Sequence, residues 1–206
     1  MNQFIKRLLQ FSIGPFSGAI ISFITIPLIT HLLLPEELGR VGMFTLTQTL
    51  MPTICLGLTQ AYTREFHVQE DKNNLLLNAI KYPFVFAIIV FIIFSLGSNF
   101  FSRLLFEYEG YNLAVCLIGF SGIVIVLERF ILLKVRMEEK ALEYSIFMLT
   151  IKIVVFLLTF VFIIFIRTDF LAIVYATIIG RMIVCFILFF RYINISDLLV
   201  FKIDRK

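Results

Sequence analysis

The chain has 206 residues, of which 60% are hydrophobic and 16% are charged, and its mean hydropathy is +1.00. Soluble domains contain about 45–50% apolar and about 25% charged residues. This composition excludes a soluble enzyme, a nucleic-acid-binding protein and a disordered chain, and it predicts a polytopic membrane protein. The 18 Lys and Arg lie mostly in short breaks between apolar runs, where such charges set topology, so the net charge of +4 does not indicate nucleic acid as a partner.

Six apolar runs follow one another along the chain, and each is long enough for a helix to cross the hydrocarbon core, which takes about 20 residues. The alternating pattern of a membrane β-barrel is absent from the sequence. The sequence therefore predicts an all-α integral membrane protein with six transmembrane helices. The predicted spans are residues 11–34, 41–62, 82–101, 112–133, 145–166 and 170–190.

The orientation of the spans is predicted from the distribution of Lys and Arg. Thirteen of them fall on the side that carries the termini, three fall on the opposite side, and Lys152 and Arg181 lie within runs. Because positive charges are retained in the cytoplasm, both termini are expected there. An even number of spans agrees with this, since it places both termini on the same side of the membrane.

The first two spans are more polar than lipid-facing helices usually are. In the first, Gly14, Gly18 and Ser22 recur every four residues, a spacing that favours close approach of two helix backbones. In the second, Thr45, Thr49 and Thr53 form one stripe accompanied by Gln48. Threonine hydroxyls can bond the carbonyl four residues back, so the stripe alone is a weak signal. Beside intramembrane cations it favours the wall of a solvated pathway.

The most informative charges are those inside the spans. Arg181 lies near the middle of the sixth span, where insertion costs about 2.5–3.5 kcal/mol. Lys152 lies about 10 Å into the fifth span, at 1.5 Å per residue. Snorkelling to the headgroups is the alternative for Lys152, and an ion pair is the alternative for Arg181. Glu128 is expected closer in depth to Lys152, which leaves Arg181 without an obvious protein partner and favours an anionic ligand.

The sixth span repeats this pattern of polar residues beside a cation. Thr177 shares a helix face with Arg181, as Ser145 and Thr159 do with Lys152. Two such stripes predict a positively charged cavity between the helices.

Acidic residues are scarce in the spans. Glu128 is the one Asp or Glu in the six runs, so it is the candidate for coupling to an ion or proton within this chain. The sequence holds no CxxC pair, Cys/His cluster, D-x-D motif or Ser/His/Asp arrangement. A metal site, a cofactor and an enzymatic role such as a membrane glycosyltransferase or polymer synthase are therefore not predicted.

Three segments resemble a known family. Residues 27–40 (PLITHLLLPEELGR), residues 57–66 (GLTQAYTREF) and residues 136–141 (RMEEKA), followed by Tyr144, are similar to segments of oligosaccharide flippases. These belong to the polysaccharide-transporter branch of the multidrug/oligosaccharidyl-lipid/polysaccharide exporters. The resemblance covers the chain in topology and about 45 residues in specific pattern.

The resemblance implies a function and a location. It implies a carrier of undecaprenyl-diphosphate-linked oligosaccharides across the bacterial inner membrane, in contact with membrane lipids. Family members enclose a cationic cavity between two lobes, so Arg181, Lys152, Arg64 and Arg40 become candidates for holding the diphosphate. Arg40 and Arg64 bracket the second span, and an ordinary interfacial position is the alternative for both.

The resemblance also divides the chain. Residues 1–190 correspond to the N-terminal lobe and residues 191–206 resemble the cytoplasmic amphipathic connector. A second lobe does not follow in this sequence, so the chain either pairs with another half or a second copy, or is a truncated fragment that does not transport. The sequence does not decide between these two. A further alternative is a lobe of a drug or ion exporter of the same superfamily.

Overall fold

A computed structural model describes residues 2–166 and 168–192, and within them the chain is helical with no strand. The helices are α1 (Asn2–Leu32), α2 (Pro35–Leu50), α3 (Leu56–Glu65), α4 (Lys72–Leu96), α5 (Ser98–Phe106), α6 (Asn112–Met137), α7 (Ala141–Phe165) and α8 (Phe170–Tyr192). Six candidate membrane spans occur in this part of the chain. Of these helices, α1, α4, α6, α7 and α8 each form one span, and α2 and α3 together form the second span. The prediction of an all-α membrane protein with six spanning helices is confirmed.

Two parts of the sequence prediction lie outside the described residues. Of the connector predicted at 191–206, only Arg191 and Tyr192 are described, and they continue helix α8. Arg167, in the predicted turn before the sixth span, is likewise outside them.

The helix ends follow local signals in the sequence. Helix α2 begins with Pro35, whose missing N–H is no loss in a first turn, and Glu36 and Glu37 complement the helix dipole there. Helix α4 begins ten residues before the predicted third span, because the carboxylate of Asp71 accepts a hydrogen bond from the Asn74 N–H at 3.0 Å. It ends at Leu96, and the last residues of the predicted span belong to α5.

The second span is divided at Pro52. Residues Met51–Cys55 form a 3-10 helix between α2 and α3. Proline cannot donate the hydrogen bond that an α-helix requires in its interior. This interruption contains Thr53 of the threonine stripe, and it separates Thr45 and Thr49 of α2 from the polar residues of α3.

Helices α6 and α8 form the centre of the bundle. In the most apolar stretch of each span, 67% of the residues of α6 and 56% of those of α8 are buried. In the other four spans the buried share is 11–17%. Helix α4 packs on one side of α6, α7 packs on α8, and α1 packs on α7. The second span lies against α6 and α8 on the remaining side.

The glycines of α1 mark its contact with α7. An added Cβ at Gly14 would lie 2.9 Å from the Cα of Ser145, and one at Gly18 would lie 3.4 Å from the Cγ of Lys152. The Ser145 hydroxyl donates to the Gln10 carbonyl across the same contact. The packing role predicted for the small residues of the first span is confirmed for Gly14 and Gly18.

Helix α8 is held at both ends by charges from other helices. At its start the Phe170 N–H donates to Oε2 of Glu37 in α2 at 2.8 Å. At its end the ammonium group of Lys134 in α6 donates to the Tyr192 carbonyl at 3.1 Å and to Oδ1 of Asn73 at 2.7 Å. A carboxylate at the N-terminus and an ammonium at the C-terminus both complement the helix dipole. These bonds fix α8 relative to α2, α4 and α6.

We expect Gly14→Ala to lower stability by about 1–3 kcal/mol, because the new methyl group meets the backbone of α7, which cannot move aside as a side chain can. Thermal unfolding of the purified chain in detergent measures this. Gly42→Ala is the matched control, since an added Cβ there meets nothing within 4 Å. Equal effects of the two substitutions would contradict the tight contact.

We expect Lys134→Met to destabilise the chain by about 1–3 kcal/mol, because it takes the charged donor away from the partly buried acceptors on Asn73 and Tyr192. Lys134 is only 6% exposed. Lys140→Met is the control. It removes a surface ion pair with Glu138, so only a small change in stability is expected. The measurement is the free energy of unfolding of both variants. A similar loss of stability in each would contradict the stabilising role of the Lys134 hydrogen bonds.

Candidate functional site

Glu128 of α6 and Arg181 of α8 form an ion pair within the bundle. Nη1 of Arg181 lies 3.2 Å from Oε1 and 3.1 Å from Oε2 of Glu128. The side chain of Glu128 is 11% exposed and that of Arg181 is 25% exposed, so the pair is largely removed from solvent and lipid. Such a pair offsets the high cost of placing a single charge in an apolar bundle.

This pairing corrects one sequence prediction. Arg181 was expected to have no protein partner, with Glu128 nearer in depth to Lys152. The expectation about Arg181 is wrong, because Glu128 pairs with it where α6 and α8 pack together. Lys152 remains within electrostatic reach of both residues.

Two adjoining cavities lie beside the ion pair. The first, the ion-pair cavity, has a volume of about 410 Å³. The second, the threonine cavity, has a volume of about 590 Å³. Pro52, Arg129 and Arg181 line both, so the two spaces meet at these side chains.

The cavities bring together most of the residues singled out in the sequence. Glu128 and Arg181 line the ion-pair cavity, and Lys152 and Arg181 line the threonine cavity. The five residues predicted to line a pathway all line the threonine cavity: Thr45, Gln48, Thr49, Thr53 and Thr177.

The threonines offer few free hydrogen-bond donors to the cavity. Thr45 donates to the Val41 carbonyl and Thr49 donates to the Thr45 carbonyl, both at 2.8 Å. Thr53 donates to the Leu50 carbonyl. Their hydroxyls therefore present lone pairs, and the strong donors in the cavity walls are the cationic side chains.

The cavities carry an excess of positive charge. Their walls hold Arg129, Arg136, Lys152 and Arg181 against the single carboxylate of Glu128, a formal balance of +3. Within the described part of the chain, the side chains of Arg129, Arg136 and Lys152 make no hydrogen bond or ion pair. Unpaired guanidinium groups at this position suit an anionic ligand, since they present fixed donor pairs to carboxylate or phosphate oxygens.

Arg129 and Arg136 are the site residues that sequence reasoning missed. Both were assigned to the cytoplasmic side as topology-setting charges. They lie seven residues apart on α6, which is two helical turns and about 10.5 Å. This spacing was the signal in the sequence, because it places both arginines on one helix face. Ile125 and Leu132 share that face and also line the cavity.

The other two predicted cations lie outside these cavities. Arg40 pairs with Glu37, and its guanidinium lies 5.0 Å from the centre of the Tyr111 ring, at the end of the bundle where α8 begins. Burial raises the pKa of Tyr111, and the charge of Arg40 partly opposes that rise. Arg64 is exposed in the last turn of α3. The structure thus separates Arg40 and Arg64 from Arg181 and Lys152.

In the described residues, no group of three or more His, Cys, Asp or Glu side chains is placed to hold a metal ion. The three cysteines are free thiols in helical segments. The arrangement that remains is a cation-lined cavity in a multi-pass helical membrane protein.

Comparison with protein-family models, with curated proteins and with solved structures found no match to this chain. The fold and the site define the class: a multi-pass, all-α membrane protein with cation-lined cavities between its helices.

Replacing one member of the ion pair is expected to destabilise the chain more than replacing both. Glu128→Leu leaves Arg181 unpaired and Arg181→Met leaves the carboxylate unpaired, each at a cost of about 2–4 kcal/mol. The double variant removes both charges and is expected to recover most of that loss. Unfolding free energies of the four proteins form a double-mutant cycle.

Arg64→Met is the control for this cycle, because that arginine is exposed and outside the cavities. Additive effects of Glu128→Leu and Arg181→Met would show that the two charges do not stabilise each other.

Proposed function

We propose that this chain forms the N-terminal lobe of a lipid-linked oligosaccharide flippase of the bacterial inner membrane, for polysaccharide biosynthesis. The cargo is an undecaprenyl-diphosphate-linked sugar unit. The observation that carries the proposal is the +3 excess of charge in the walls of the adjoining cavities. The resemblance of residues 27–40, 57–66 and 136–141 to that family supports it.

In the proposed mechanism the cations hold the diphosphate while the polyprenyl tail stays in the bilayer. Arg129 and Arg181 stand where the two cavities meet, so a diphosphate there has contact with both guanidinium groups. The lobe alternates access by rocking, with both termini in the cytoplasm as the distribution of Lys and Arg favours. No covalent step is required.

The proposal includes a partner on the open side of the threonine cavity. Thr45, Thr49 and Thr53 are exposed there, and Lys152 is exposed in the opposite wall. Polar side chains within membrane spans usually face a bundle interior or a wet cavity instead of lipid. A second lobe, or a second copy of this chain, would supply the missing wall.

A second candidate is a lobe of a drug or ion exporter of the same superfamily. Glu128 favours it, because an intramembrane carboxylate in a cavity wall is typical of ion-coupled carriers. The excess of cations argues for an anionic cargo over a cationic drug.

The test is binding of undecaprenyl diphosphate to the 206-residue chain in lipid nanodiscs, measured by native mass spectrometry. We expect Arg129→Gln and Arg181→Gln each to weaken binding by about tenfold or more, since a hydrogen bond to a charged group contributes about 1.5–3 kcal/mol. The uncharged alcohol undecaprenol is expected to bind all variants alike.

Arg64→Gln is the matched control, because it removes a guanidinium that lies outside the cavities. If undecaprenyl diphosphate and undecaprenol bind equally, or if Arg64→Gln weakens binding as much as Arg181→Gln does, the cavity is not a diphosphate site. Transfer of the lipid-linked sugar across proteoliposomes then tests whether the bound lipid is transported.

A further inference from the structure

The ion pair between Arg181 and Glu128 is incomplete on the arginine side. Nη1 alone makes both hydrogen bonds to the carboxylate, so the guanidinium does not use the two-nitrogen fork that gives the strongest pairing. Nε of Arg181 is enclosed and has no hydrogen-bond partner in the described residues. Arg181 therefore has donor capacity that Glu128 does not satisfy.

An oxyanion in the adjoining cavities meets several cations at once. Arg181 lines both cavities, Arg129 shares that boundary, and Lys152 lines the threonine cavity. Glu128 interacts closely with one of these cations, whereas an oxyanion with several oxygens has access to all three. The ligand thus competes with Glu128 for Arg181, and its contacts with the other two cations favour the ligand in this competition.

Glu128 depends on Arg181 for its stabilisation as a carboxylate. The residue is 8% exposed, and the apolar side chains of Ile125, Leu132 and Met148 line the same cavity. An ionised carboxylate without its cation is strongly disfavoured in such surroundings, and the group neutralises instead. The neutral form requires one proton from solution.

In the part of the chain that the structure describes, the groups facing Glu128 include no other carboxylate, and Arg181 is the cation that pairs with it directly. Among the described residues, α8 contributes Arg181 and Cys185 and α7 contributes Lys152 and Tyr144. Its own helix contributes Arg129 and Arg136 to the same cavity, and the second span contributes the uncharged Thr59, Gln60 and Thr63. These cations are also the ones that a bound oxyanion engages.

We infer that Glu128 is a displaceable counter-ion of Arg181: an oxyanion bound at Arg129 and Arg181 takes the place of the carboxylate, and Glu128 takes up a proton. Anion binding is then linked to proton binding at one residue. The inference rests on the proposed cationic ligand site and adds to it a mechanism by which pH controls occupancy. Binding strengthens as pH falls, because the bound state holds one more proton than the empty state.

The experiment uses inorganic pyrophosphate and the 206-residue chain in nanodiscs, with calorimetric titration in two buffers of different ionisation enthalpy. We expect the wild type to take up about one proton more per bound pyrophosphate than Glu128→Gln does. The comparison cancels the ionisation of pyrophosphate itself. Glu128→Gln is expected to bind about tenfold more tightly near neutral pH, because its neutral amide competes weakly for Arg181.

Glu65→Gln is the matched control, since Glu65 is an exposed carboxylate at the end of α3, outside both cavities. It is expected to match the wild type in proton uptake and affinity. A second measurement needs no variant: the affinity of the wild type for sulfate, whose charge is constant near neutral pH, is expected to rise as pH falls.

Two results overturn the inference in different ways. If Arg181→Gln weakens pyrophosphate binding while wild type and Glu128→Gln take up equal numbers of protons, the cationic site stands and the counter-ion role fails. If neither Arg129→Gln nor Arg181→Gln affects binding, the proposed ligand site fails and the inference fails with it. A sulfate affinity that does not change with pH also counts against the counter-ion role.

Discussion

A charged side chain in the middle of an apolar helix constrains everything that packs around it. Arg181 meets this constraint through Glu128, and the pair joins the two most buried helices of the bundle. Because a carboxylate left alone at that position would be as costly as an arginine, neither residue can be understood without the other. The contact between α6 and α8 is therefore set by charge in its middle as well as by apolar packing along its length.

The same principle operates at the ends of α8. Glu37 accepts a hydrogen bond from the Phe170 N–H and Lys134 donates to the Tyr192 carbonyl, so charges from α2 and α6 complement the dipole at both termini. These attachments hold α8 in place, whereas α1 meets the bundle mainly on α7, where Gly14 and Gly18 allow a close approach. Helices α6 and α8, joined by the ion pair, form the walls of the two cavities together with α7 and the second span.

Much of this architecture could be predicted from the sequence, and the exceptions have physical causes. Hydropathy determines the six spans, since burial of apolar length is a local property, and the threonine stripe indicated the correct cavity wall. The partner of Arg181 could not be predicted, because Glu128 is 53 residues away and span boundaries read from composition place depth too coarsely. Arg129 was missed for the related reason that a cation near a span end resembles a topology-setting charge.

The chemistry of the cavity walls narrows what the site can hold. The hydroxyl groups of Thr45, Thr49 and Thr53 donate to backbone carbonyls and the Gln48 side chain donates to Ser121, so these neutral side chains of the second span offer mainly acceptors to the cavity. A neutral sugar needs donors and acceptors in balance, whereas an oxyanion needs donors and positive charge, which here come from arginine and lysine. An oxyanion is thus better matched to these walls than a neutral sugar is. Under the proposed function, the cavities would bind the diphosphate that lipid-linked sugars share, and discrimination among sugars would come from surfaces outside them.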